Sequence, residues 1–147
     1  MSMTGLEVFD STVQKTNLWI KEVMEALGWE DRHKAYEGLK VTLWALRDRL
    51  TVVEAAHLAA QLPLLVRGFY YESWSPAHTP VKARHQADFL APLREHFKND
   101  PSVNPEELAR AVFAVLVTHV TAGEIEGIRR VLPDPLKPFW PVARSEA

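Results

Sequence analysis

Apolar residues return every three or four positions along most of the chain, and polar capping residues bracket the apolar runs. Leu18, Trp19, Val23 and Leu27 recur at helical spacing, which predicts a first helix over 11–27, with Asp10 or Ser11 as N-cap and Gly28 as stop. Ahead of it, Leu6, Val8 and Phe9 belong to a short arm expected to dock on the body. Asp31 is placed to cap a second helix whose Tyr36, Leu39, Leu43, Leu46 and Leu50 form a core-facing stripe. Its other face carries Lys34, Lys40, Arg47 and Arg49 with Glu37 and Asp48, and reads as solvated surface.

Thr51 followed by Glu54 is a capping box, in which the hydroxyl meets a first-turn amide and the carboxylate reaches back. A third helix over 52–62 then ends at Pro63, which has no amide to donate and itself opens a fourth helix through Phe69. Tyr71 to Pro80, with Trp74 among its residues, reads as an ordered linker. Thr79 and Pro80 open a fifth helix over about 80–98, in which Pro92 predicts a kink or break between Asp88 and Pro92. Asn104 and Pro105 open a sixth helix, expected to be the most buried because its AVFAVLV run is apolar nearly all round. A seventh covers about 122–132, LPDPLKPFWP allows one helical turn pinned by Phe139 and Trp140, and the closing ARSEA is expected to fray. No apolar run alternates with period two, so no strand is expected.

At a constant offset of 70 positions, Thr51 falls on Thr121, Glu54 on Glu124, Leu58 on Ile128, Leu62 on Leu132, Pro63 on Pro133 and Phe69 on Phe139. This register predicts an all-α protein made of two tandem copies of a four-helix unit, about 11–74 and 80–140, packed into one domain over 1–147. Eight helices or helical turns are expected, with the second and third of each copy paired antiparallel.

Composition narrows the function. With 47% hydrophobic and 24% charged residues the chain can bury a core, and a net charge of −2 offers no general attraction to nucleic acid or to anionic membranes. The absence of cysteine excludes disulfides, thiolate metal sites and thiol nucleophiles together. MSMTGLEVFD lacks the basic start and long apolar run of a secretory signal, and no stretch approaches a membrane helix in length, so a cytosolic location is expected.

The strings FDSTVQKTNLWI, LWALRDRL, EAAHLAAQLPLLVRGFYY and LPDPLKPFWP resemble a bacterial family of domains of unknown function, number 2267. The resemblance runs from about Phe9 to Pro141 and is most specific between AQLP and RGFYY. It implies an all-helical tandem domain and brings no activity, cofactor or catalytic residue with it.

The residues themselves offer little chemistry. Glu30 with His33 and Glu54 with His57 have a spacing used by di-iron bundles, but Glu54 is claimed by the capping box and Gly127 stands where His57 would recur. The helix that would read a DNA groove, VVEAAHLAAQL, has no Lys or Arg. The serines lack a nucleophile elbow, the glycines form no phosphate loop, and His78, His85, His96 and His119 have no second-ligand spacing. Residues found in one copy only are freer to serve function, which singles out His57, Gln61, Arg67 with Gly68, and the extension from Tyr71 to Trp74, and the binding candidates are Gln61, Arg67, Tyr70, Tyr71 and Trp74. Arg67 and Gln61 would orient a polar or anionic group over Tyr70 and Tyr71. In the competing reading Tyr71 and Trp74 seal the junction between copies and Arg67 pairs with a carboxylate such as Glu72.

The expectation is a non-enzymatic binding or protein-interaction module without a cofactor. Its partner would be a protein, a second copy of the chain included, or a small polar ligand, with no role for nucleic acid or membrane. The alternative is a small metal-binding or enzymatic bundle using Glu54, His57 and His85.

Overall fold

The computed structural model describes residues 2–82 and 84–141, and all regular structure among them is helical. Seven α-helices follow in order: α1 (Glu7–Leu27), α2 (Arg32–Arg47), α3 (Val52–Ala60), α4 (Leu64–Tyr71), α5 (Gln86–His96), α6 (Pro105–His119) and α7 (Ala122–Val131). With the closing 3-10 helix Asp134–Phe139 they are the eight elements expected. A further 3-10 turn, Pro76–His78, lies in the segment expected to be a linker. ARSEA lies outside the described residues.

α2 is the centre of the molecule, in contact with α1, α4, α5 and α6, while α6 also meets α1, α5, α7 and the closing 3-10 helix. The α2 stripe of Leu39, Leu43 and Leu46, continued by Leu50, is buried as its spacing predicts. The expectation that the sixth helix is the most buried is corrected: nine of the 16 residues of α2 are buried, against seven of the 15 in α6. Gly38 permits the close approach of the two helices, since a Cβ there would stand 2.8 Å from Leu108 Cδ1. The tail is pinned as expected, with Phe139 and Trp140 buried and Trp140 stacked on Phe113 at 4.3 Å.

The face of α2 expected to be solvated is not wholly so, because Arg47 and Arg49 are buried. The last carbonyls of α4 have no intrahelical amide to accept from, and the end of α2 supplies the donors. Trp44 Nε1 donates to Phe69 O at 2.7 Å, and Arg47 Nη1 donates to Tyr70 O at 2.8 Å and Glu72 O at 2.7 Å. Asp48 Oδ1 accepts from Arg47 Nε at 2.9 Å, so the buried guanidinium has its counter-charge.

Two helix starts differ from expectation. α1 begins at Glu7, with Leu6 as N-cap and no side-chain cap bond. Asp10 is already engaged by the arm, accepting from the Thr4 amide at 2.9 Å and the Thr4 hydroxyl at 2.8 Å, with Ser2 on its other oxygen. Val8 and Phe9 consequently lie on an extended α1 with Leu6 just ahead of it, and all three remain exposed instead of docking. α5 begins at Gln86, not 80, because the Val81 amide is donated across the chain to Asp48 O at 2.7 Å and the chain there is not helical. α5 then runs unbroken through Pro92.

α3 makes its main contacts with α4 and α7 and does not pair along α2, which corrects the antiparallel pair expected there. Its nine residues bury only Ala55, Leu58 and Ala59, and the buried faces of α2 are occupied by α1, α4, α5 and α6. Thr51 caps α3 by accepting from the Glu54 amide at 3.2 Å, and Thr121 caps α7 through the Glu124 amide at 3.4 Å. In the first cap the Glu54 carboxylate meets the Thr51 hydroxyl at 2.9 Å rather than reaching its amide.

Candidate functional site

Of the five residues singled out in the sequence, Gln61 and Arg67 meet at the joint between α3 and α4 while Tyr70, Tyr71 and Trp74 lie at the far end of α4, and most of their polar atoms are committed internally. Gln61 follows the end of α3 and grips the cap of α7, accepting from the Thr121 amide at 2.8 Å and donating to the Thr121 hydroxyl at 3.1 Å. Arg67, one helix later, turns back on the end of α3. Its Nε donates to Ala59 O at 2.9 Å and its Nη2 to Leu62 O at 3.1 Å and Ala60 O at 3.4 Å, so carbonyls take the place of the expected carboxylate. The carbonyl of Glu72 instead receives Arg47.

Tyr70 is fully buried and donates its hydroxyl to Ala55 O at 2.9 Å, which corrects its expected place on a binding surface. Burial raises its pKa well above the ordinary tyrosine value of 10.0, with Tyr71 adding to the rise and Arg47 opposing it. Tyr71 is half-buried, edge-on to Tyr70 at 5.3 Å and tilted over Trp74 at 5.2 Å. Both Tyr71 and Trp74 pack against the core, an arrangement that covers the end of α4.

The residues of the metal-binding alternative have other surroundings. Glu54 holds the α3 cap, His57 is exposed, and His85 is the exposed N-cap of α5, its amide 3.4 Å from the Asp88 carboxylate. His33 pairs with Glu37 at 3.5 Å, not with Glu30, and His96 meets the other oxygen of Glu37 at 2.7 Å. Among the described residues no three His, Asp or Glu side chains converge in a set able to hold a metal ion.

A groove opens beside this joint, between α1 and the Gln61–Leu64 turn. Two hollows of about 530 and 400 Å³ share Lys15, Leu62 and Pro63 and follow one face of α1 from Glu7 to Trp19, about 18 Å along the helix axis. The wall formed by α4 is positioned by Thr12, whose buried hydroxyl accepts from the Leu65 amide at 3.0 Å and so caps the start of α4 from α1. At the far end His119 closes the groove, stacked on Trp19 at 5.0 Å with Nε2 2.6 Å from Glu22 Oε2.

The rim is apolar and open: Val8 is 62%, Leu64 49% and Leu18 45% exposed. In its middle stands the exposed ammonium of Lys15, and at its start the carboxylate of Glu7, neither in an ion pair among the described residues. Sequence reasoning counted Leu18 with Trp19, Val23 and Leu27 as one set of apolar positions at helical spacing and passed over Lys15, Glu7 and the His119–Glu22 contact. The buried stripe of α1 is in fact Thr12, Thr16, Trp19, Ile20 and Val23. Counting the two threonines as core positions would have turned Leu18 outward and exposed the groove.

No helix among the described residues is long and apolar enough to cross a membrane. No curated protein matches the chain. The model of a family of uncharacterized conserved proteins, DUF2267, matches residues 16–139, taking in α2 to α7 and most of α1. The chain belongs to the DUF2267 family.

Proposed function

We propose that the protein is a non-enzymatic interaction module that takes a polypeptide segment in the groove between α1 and the α3–α4 joint. The observation that carries this reading is the exposure of Val8, Leu18 and Leu64 around Lys15 and Glu7, two charges without ionic partners among the described residues. Apolar side chains rimmed by uncompensated charge suit a segment that brings its own apolar residues and complementary charges. Gln61 and Arg67 enter as the residues that hold the groove wall, through Thr121 and the end of α3.

A photo-crosslinking residue at Leu64 in cells that make the protein tests the reading, with the exposed α7 position Glu126 as control. Polypeptide adducts are expected at position 64, weakened by Lys15→Glu. Adducts that are equal at both positions, or absent from position 64, would overturn it.

The same reading holds that the scaffold is two copies of one helical unit and that the protein works in the cytosol. The equivalent Thr51 and Thr121 caps support the first, and the cysteine-free composition fits the second. An experimental structure in which 11–70 and 81–140 failed to superpose would remove the repeat.

A further inference from the structure

We infer that the segment taken by the groove is the α1 of a second copy of this chain, running antiparallel, an inference that rests on the groove reading above. Glu7, Ser11 and Lys15 follow one another at intervals of four on the groove side of α1 and border the same hollow. Such a row is a ridge of the kind that packs across its counterpart on another helix. Its order of acid, small residue and base is its own complement when reversed. A twofold axis through Ser11 brings Glu7 of each copy onto Lys15 of the other, so both charges, unpartnered among the described residues, are matched twice by one operation.

The small Ser11 side chain at the crossing lets the helix axes approach, and about 12 Å separates the two charges along each helix. The apolar rim explains the affinity and the charges explain the direction. Val8, Leu18 and Leu64 are exposed in the single chain and would be covered by the second. Exposed ion pairs add little affinity alone, but like charges brought together at an interface are strongly disfavoured. A parallel arrangement would set Glu7 on Glu7 and Lys15 on Lys15.

Sedimentation velocity of the full chain over a wide concentration range tests this. Wild type is expected to dimerise. Glu7→Lys alone and Lys15→Glu alone should each weaken the dimer at least about tenfold, since each creates two like-charge contacts. The double variant Glu7→Lys/Lys15→Glu should recover it, and circular dichroism should show unchanged helix content in all four proteins.

A wild type that stays monomeric, single reversals without effect, or a double variant as weak as the singles would each overturn the inference. The groove reading is separable by the Leu64 crosslinker. With a monomeric wild type, adducts to a different polypeptide would retain the groove and discard the second copy, whereas no adducts at all would discard both.

Discussion

Arg49 donates from Nη2 to the carbonyl of Asp88 at 2.9 Å, the carbonyl that Pro92, four residues further along α5, cannot serve because it has no amide hydrogen. A buried guanidinium from the α2 end thus replaces the missing helical bond, while its Nη1 donates to Ala45 O at 3.0 Å and its Cζ stands 5.1 Å from the centroid of the Phe89 ring. A proline in a helix interior costs about 3 kcal/mol, and α5 remains unbroken across it.

The two residues should therefore be thermodynamically coupled. Arg49→Met is expected to cost about 2–3 kcal/mol by leaving carbonyls without donors, and Pro92→Ala to stabilise by about 1–2 kcal/mol. In the Pro92→Ala background the cost of Arg49→Met should fall by at least about 1 kcal/mol, because the new amide serves Asp88. Urea denaturation of the four proteins measures the cycle, and additivity within about 0.5 kcal/mol would refute the coupling.

Gln61 and Thr121 form a second relationship of this kind, joining the end of α3 to the start of α7. Gln61→Ala should cost about 1–2 kcal/mol, as loss of a helix cap does. Each hydroxyl has two polar partners, the Glu54 amide and carboxylate for Thr51 and the Glu124 amide and Gln61 carboxamide for Thr121, so the cost of Gln61→Ala should fall once Thr121→Ala has removed the hydroxyl to which it donates. Strict additivity of Gln61→Ala and Thr121→Ala in thermal or urea melts would show that the bond between carboxamide and hydroxyl contributes nothing.

Local chemistry was legible in the sequence wherever neighbours along the chain decide it. The caps at Thr51, Thr121, Asp31 and Asn104 are occupied by the side chains expected, and Gly28 ends α1 in the left-handed region at φ 68°. Expectation failed where a distant group competes for the same atom. The arm takes Asp10 from its capping role, and Asp48 takes the Val81 amide and delays α5 to Gln86. Arg47 and Arg49 looked like surface charges because sequence periodicity cannot see the bare carbonyls of α4 and α5 that draw them inside. The candidate site followed the same rule. Gln61 and Arg67 stood out in the sequence, but their partners are made adjacent only by packing. Glu7 and Lys15 are ordinary charges until α4 is set beside α1.

Arg67 illustrates what that packing changes. A surface role predicts that Arg67→Ala leaves stability nearly untouched, whereas three carbonyls at the end of α3 now accept from its guanidinium. Arg67→Ala is expected to lower stability by about 1–3 kcal/mol. Arg67→Lys should recover less than half of that, because a single ammonium cannot reproduce a planar fork. A melting temperature unchanged in Arg67→Ala would return the side chain to the surface role.

Tyr70 gives the clearest dependence on pH. Its hydroxyl is buried against Ala55 O, and burial raises its pKa above the ordinary tyrosine value of 10.0, so the folded state holds the proton after the unfolded chain has released it. A raised folded pKa means that the contribution of Tyr70 is fully present below pH 10.0 and is lost as pH rises beyond it. The loss approaches about 1.4 kcal/mol per pH unit for one proton. Tyr70→Phe removes the hydrogen bond and should cost about 1 kcal/mol near neutrality. It also removes the titration, so its stability should decline less steeply above pH 10.0 and overtake wild type near about pH 11. Urea denaturation of the pair on either side of the tyrosine range measures the effect, and parallel curves for the two proteins would show that the Tyr70 hydroxyl is not held protonated by the fold.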